Sequence, residues 1–183
     1  MKLHEGPPGP VLVWFRRDLR LADHPALTAA AESGRAVIPV FVHDQTVEAL
    51  GAAPKFRLGL SVAALARDLA ARGSRLILRR GAALATLRAL VAGTGAGAVV
   101  WTRGYDAAAR ARDAAVKAAL NGDGLAVESH PGAVLFEPWT VETGEGGFYR
   151  VYSPYWRAVA GRDPGALLPA PGRLAPPDVW PAS

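Results

Sequence analysis

Short apolar runs alternate with helix-forming stretches from Val11 to Glu128, and this alternation limits the possible folds more than any other feature of the chain. Val11–Phe15, Ala36–Val42 (AVIPVFV), Leu76–Leu78, Ala98–Trp101 and Leu125–Glu128 read as strands. Pro25–Ser33, Pro54–Arg72, Ala82–Ala92 and Tyr105–Leu120 read as the helices between them. Strands that are apolar at nearly every position suit a sheet covered on both faces. The expectation is an α/β protein with a Rossmann-like, doubly wound, five-stranded parallel sheet, helices on both faces and strand order 3-2-1-4-5.

Local signals mark where these segments start and stop. Asp23 or His24 caps the first helix, Pro25 opens it and Gly34 closes it. In the second helix Leu58, Val62, Leu65 and Leu69 form the apolar stripe; Arg57, Arg67, Asp68 and Arg72 supply the polar face, and Gly73 ends it. Leu84, Leu87, Leu90 and Val91 face inward from the third helix. Pro39 cannot donate to a ladder, so it predicts a bulge or a strand that pairs fully only beyond it. His43–Ala53 reads as a loop.

After Pro131, Val134–Trp139 could extend or flank the sheet, and Glu142–Phe148 is a polar glycine-rich loop. Tyr149–Tyr152 reads as extended, with Ser153 and Pro154 capping a short helix to Ala160. The six prolines from Asp163 onward predict a linker without packed elements. The expected division is residues 1–162 as the α/β domain and 163–183 as an interdomain linker.

At 183 residues the chain can bury one ordinary core. It has no cysteine, which excludes disulfides and thiolate metal sites. The opening MKLHEGPPGP has no apolar core and no later apolar run is long enough to span a bilayer, so the expectation is a cytoplasmic monomer without a membrane partner. The net charge of +5 invites a phosphate-binding reading, but the cations are dispersed and mostly arginine, with Lys2, Lys55 and Lys117 the only lysines.

Several chemistries fail on position. Gly93, Gly95 and Gly97 follow a helix and precede a strand, the reverse of a dinucleotide fingerprint, so they read as a C-cap and turn. Ser61 lies within a helix, while Ser33, Ser74 and Ser129 follow helices or end a strand; none forms a nucleophile elbow. His4, His24, His43 and His130 lack metal-ligand spacing. No catalytic or metal residue is assigned.

Binding is a better reading. In the expected fold Arg16–Arg20, Val42–Asp44 and Thr102–Asp106 converge beyond the carboxyl ends of the strands, where ligands of such sheets sit. They bring together Arg16, Arg17, Asp18, Asp44, Arg103 and Asp106, and guanidinium groups suit planar or anionic ligands. The competing reading is that Asp18 pairs with a neighbouring arginine and pins the loop. Asp106 with Arg110, and Asp113 with Lys117, also read as helix-stabilising pairs.

The opening WFRRDLRLADHPAL resembles the N-terminal signature of the DNA photolyase and cryptochrome family. The likeness continues through VIPVFVHD, the helix after Pro54, VVWTRGYDAAARARD and YRVYSPYWRA, in order. The resemblance implies an α/β domain that holds an antenna pigment in some members. It also implies a following helical domain, absent from this chain, that binds FAD and damaged DNA. The implied whole-protein reaction is light-driven splitting of pyrimidine dimers by a carbon–carbon lyase, with this piece alone inactive. On this reading the partners are the FAD domain in cis and, in the full-length protein, damaged DNA.

The candidate pigment contacts are Arg16, Arg17, Asp18, Phe41, His43, Arg57, Thr102, Arg103 and Asp106. Folate-binding relatives carry an Asn-Glu pair where this chain has Ala108 and Ala109, which disfavours folate. Deazaflavin-binding relatives carry an asparagine and an acid where it has Thr102 and Gly104, which weakens that pigment too and leaves a flavin, a different pigment or an empty pocket open. His24 replaces a usual asparagine and implies a changed helix cap. Two alternatives stay open, the same domain of a cryptochrome photoreceptor and a stand-alone nucleotide-binding module.

Overall fold

A computed structural model describes residue 3 and residues 6–183; His4 and Lys2 lie outside the described residues. Five strands, β1 (Val11–Phe15), β2 (Val37–His43), β3 (Ile77–Arg80), β4 (Ala98–Thr102) and β5 (Ala126–His130), form one parallel sheet. Its order is β3-β2-β1-β4-β5, the order expected, and its all-parallel pairing is what the alternation and strand apolarity predict. The helices are α1 (Pro25–Glu32), α2 (Gln45–Glu48), α3 (Ala52–Ala70), α4 (Ala83–Thr94), α5 (Ala107–Gly122) and α6 (Tyr152–Val159).

Side chains alternate across the sheet, so β1 feeds two cores. Val11, Val13 and Phe15 pack with Leu27 of α1 and with Leu65 and Leu69 of α3. Leu12 and Trp14 pack with Leu87 and Leu90 of α4 and with Val116 and Leu120 of α5. Every β1 residue is buried because both faces are covered. The order reverses between β1 and β4, and a reversal of this kind opens a crevice beyond the strand ends.

Pro39 interrupts nothing. β2 runs beside β1 through it, with Val13 opposite Pro39, while pairing to β3 begins only at Val40. That is the second of the two outcomes expected for this residue. Amides two apart along a strand point to the same side, and the Val37 N–H on that side donates to the Ala175 carbonyl at 2.8 Å, not to β3. The donor that Pro39 lacks would therefore meet no strand.

Elsewhere the structure corrects the expected boundaries. His43–Ala53 is not all loop, since Asp44 caps the single turn of α2 through the Thr46 and Val47 amides. Val134–Trp139 does not join the sheet; a 3-10 turn at Pro138–Thr140 follows instead. α6 begins at Tyr152 with Val151 at the cap and no side-chain cap bond, so Ser153 and Pro154 already lie in its first turn. Proline is tolerated there because first-turn amides have no intrahelical acceptor. Gly95 closes α4 in the left-handed region at φ 65°, and at Gly97 an added Cβ would lie 2.1 Å from the Pro7 carbonyl oxygen.

Residues 163–183 form no helix or strand, as their prolines predict, yet they lie against the domain. The Leu168 carbonyl accepts the Asp23 N–H at 2.7 Å, and the Pro171 carbonyl accepts Arg72 Nε at 3.2 Å. Leu174 is buried in the core under α1 and α3. Trp180 lies 5.1 Å from the Arg75 guanidinium, and Ser183 Oγ accepts the Leu78 N–H at the β3 edge. A proline-rich chain leaves its own carbonyls free, so it binds a surface as an acceptor without becoming a strand. Among the described residues no helix is long and apolar enough to cross a membrane.

Candidate functional site

The exit from β1 is held by Asp18. Its Oδ1 accepts the Arg16 N–H at 2.8 Å, and its Oδ2 lies 2.8 Å from His24 Nε2. His24 Nδ1 accepts the Leu27 N–H at 3.1 Å and so caps α1, which places the ring proton on Nε2, facing Asp18. Asp18 therefore pins the loop through a histidine and a backbone amide, not through a neighbouring arginine side chain. Burial raises the Asp18 carboxyl pKa, but His24, the Thr102 hydroxyl and the Arg16 N–H outweigh it, leaving it at about 2.

Beyond the carboxyl ends of β1, β2 and β4 lies a cavity of about 560 Å³. The β1 exit contributes Trp14, Arg16, Arg17 and Asp18; β2 and α2 contribute Phe41, Asp44, Thr46, Val47 and Leu50. Thr102, Arg103 and Asp106 enter from the β4 exit, with Ala108, Ala109 and Arg112 from α5. The wall thus mixes apolar groups with arginines whose charge is partly balanced. Arg16 pairs with Asp113 at 2.6 Å and donates to the Thr102 carbonyl. Arg112 lies 3.6 Å from Asp44 and 3.3 Å from Asp113. Both guanidinium groups stand over the Trp14 ring, at 4.8 Å and 5.5 Å from its centre. Trp14 in turn meets Trp101 edge to face at 5.7 Å.

Seven of the nine candidate residues line this cavity: Arg16, Arg17, Asp18, Phe41, Thr102, Arg103 and Asp106. The other two do not. His43 faces Glu48 at 3.9 Å, and Arg57 is exposed on α3. Arg17 makes no ion pair with a described residue, so its charge is available at the cavity. Asp106 caps α5 through the Ala109 N–H at 2.8 Å rather than pairing with Arg110.

The sequence reading missed Asp113, Arg112 and Trp14. Asp113 does not pair with Lys117; it is buried and accepts the Trp101 indole N–H at 3.2 Å. A signal for this was present, because Asp113 precedes Val116 and Leu120 by three and seven residues and so shares their inward stripe. On the outer side of the β4 exit, Glu137 Oε1 accepts from both Arg103 and Tyr105 at 2.7 Å. Burial, together with that bond to the carboxylate, pushes the Tyr105 hydroxyl up to about 12.

The cavity wall combines aromatic and aliphatic side chains with guanidinium groups, which suits the binding of a flat molecule. Comparison with known proteins agrees with the geometry. The family model for DNA photolyase matches residues 11–172. The deoxyribodipyrimidine photo-lyase of Agrobacterium fabrum is 48% identical over 95% of this chain and 36% of its own length. Cryptochrome-2 of Arabidopsis thaliana is 35% identical over 90% of this chain and 28% of its length. A class III photolyase structure from Agrobacterium tumefaciens superposes with a TM-score of 0.92 at 47% identity, covering 97% of this chain and 37% of that one. The chain therefore spans between 28% and 37% of these relatives' own length. With the fold, the strand order and most of its length in agreement, this chain belongs to the DNA photolyase family.

Proposed function

We propose that this chain is the N-terminal light-harvesting part of a photolyase that repairs cyclobutane pyrimidine dimers, and that its 560 Å³ cavity receives a planar heteroaromatic pigment. The observation that carries the reading is the cavity wall itself. Trp14, Phe41, Val47 and Leu50 line it with apolar groups beside the Arg17 guanidinium, which makes no ion pair with a described residue. A flat ligand with an anionic arm matches that wall. When bound, such a pigment absorbs light and passes the excitation on.

Within the same reading, FAD and the repair chemistry belong to a helical domain in cis, and damaged DNA is a partner of the full-length protein. A cytoplasmic monomer completes it. The Ala108 and Ala109 methyl groups offer a pterin no polar contact at their wall, which disfavours folate. Higher identity to the Agrobacterium photo-lyase than to the Arabidopsis cryptochrome favours repair over signalling.

The test is titration of the purified chain with a flavin, a deazaflavin and a methenyl-folate, followed by absorbance and fluorescence. Saturable binding of the flavin, weakened by Arg17→Met, is expected. Failure of all three pigments to bind sinks the pigment site. Tight folate binding overturns only the argument from Ala108 and Ala109.

A further inference from the structure

A second cavity, of about 180 Å³, lies on the outer side of the Arg103–Tyr105 loop, above the end of β5. Trp139 covers it and is 58% exposed, whereas Trp14 and Trp101 are fully buried. The Arg103 guanidinium stands 5.3 Å from the Trp139 ring centre, and the Tyr105 ring lies 6.3 Å away, tilted. Together they hold the indole in a fixed, solvent-facing position.

α5 supplies Arg110, Ala114 and Lys117 to the same cavity. This spacing of four and then three residues puts them on one helix face, with the two cations about 10 Å apart along the axis. Ala114 leaves the space between them open. Neither cation forms an ion pair with a described residue, because the expected pairs with Asp106 and Asp113 do not form. Asp106 is turned to the Ala109 amide, and both Asp113 oxygens are occupied by Arg16, Arg112 and Trp101. The nearby acid, Glu137, is engaged by Arg103 and Tyr105. An exposed aromatic platform thus stands beside two cations that form no ion pair with a described residue, while Asp106, Asp113 and Oε1 of Glu137 are engaged elsewhere.

We propose that this groove binds a nucleotide, with the base stacked on Trp139 and the phosphate held by Arg110 and Lys117. A fixed indole stacks on any base, and a neighbouring pair of cations selects the anionic arm; single-strand binding proteins combine the same two elements. The ligand can be a free mononucleotide or one unit of an unpaired strand. The inference does not rest on the pigment reading, since the groove opens on the other side of the loop.

The experiment titrates the 183-residue chain with adenosine monophosphate, a short oligothymidylate, a duplex of similar length and inorganic phosphate, read by tryptophan fluorescence. Saturable quenching is expected with the mononucleotide, the single strand or both, and which of them binds identifies the source. Trp139→Ala and the pair Arg110→Glu with Lys117→Glu should each weaken it about tenfold or more, with Trp139→Phe retaining most of it. Thermal melts of the variants separate loss of binding from loss of folding. The proposal is overturned if neither nucleotide saturates, if well-folded variants bind unchanged, or if phosphate or the duplex binds as tightly as the nucleotides.

Discussion

Asp18 has two roles that its neighbours in sequence do not announce: it closes the turn leaving β1 and fixes the orientation of His24, and with it the start of α1. Its carboxyl pKa falls from an ordinary 3.8 to about 2 on folding. A depressed carboxyl pKa adds stability that is present above the unfolded value and disappears as pH falls through the folded one. The contribution is about 2 kcal/mol at neutral pH and is lost between roughly pH 4 and pH 2. Asp18→Asn should therefore lower the urea midpoint at pH 7 and converge with the parent chain near pH 2; a gap independent of pH would exclude this origin. Arg16 and Arg17 are adjacent but unequal. Arg16→Met leaves the buried Asp113 short of a partner and should cost about 3 kcal/mol, whereas Arg17→Met should stay within about 0.5 kcal/mol, both read from denaturant unfolding. Sequence alone singled out all three residues but not what they touch. The partners Asp113 and His24 lie on other elements, and their pairing depends on helix rotation, which sequence spacing only hints at.

At the scale of elements, the strands were legible because a sheet covered on both faces writes itself as unbroken apolar runs. Helix ends shifted by up to two residues, as caps and first turns are set by hydrogen bonds that composition does not specify. The single turn of α2 was invisible to periodicity because it is too short to show any. The docking of the tail was not legible for a different reason. Proline content correctly excluded regular structure, but docking through carbonyl acceptors and one leucine leaves no periodic trace. Truncation after Arg162 should therefore destabilise the chain by at least about 2 kcal/mol, the loss from exposing Leu174 alone. Hydrogen exchange offers a finer readout, with the Asp23 and Val37 amides losing protection before the rest of the sheet. An unchanged melting temperature would show that the tail only rests on the surface.

For the whole molecule, the reversal of strand order beside β1 decides where a ligand can sit, and the cavity lies at that reversal. The charge of +5 is less decisive, since Arg16, Arg88, Arg103 and Arg112 are spent on internal ion pairs. Affinity for damaged duplex DNA should accordingly be weak and fall steeply as salt rises from 50 to about 200 mM, as for diffuse cations. Salt-resistant recognition of the lesion by this chain would contradict the assignment of repair to a further domain. The two indoles behind the cavity give the molecule one more property. Trp14 and Trp101 are locked 5.7 Å apart at 68°, close enough for their electronic transitions to couple and asymmetric enough for that coupling to be chiral. The wall thus carries its own circular-dichroism signature, and any molecule that presses on Trp14 will register there without a label.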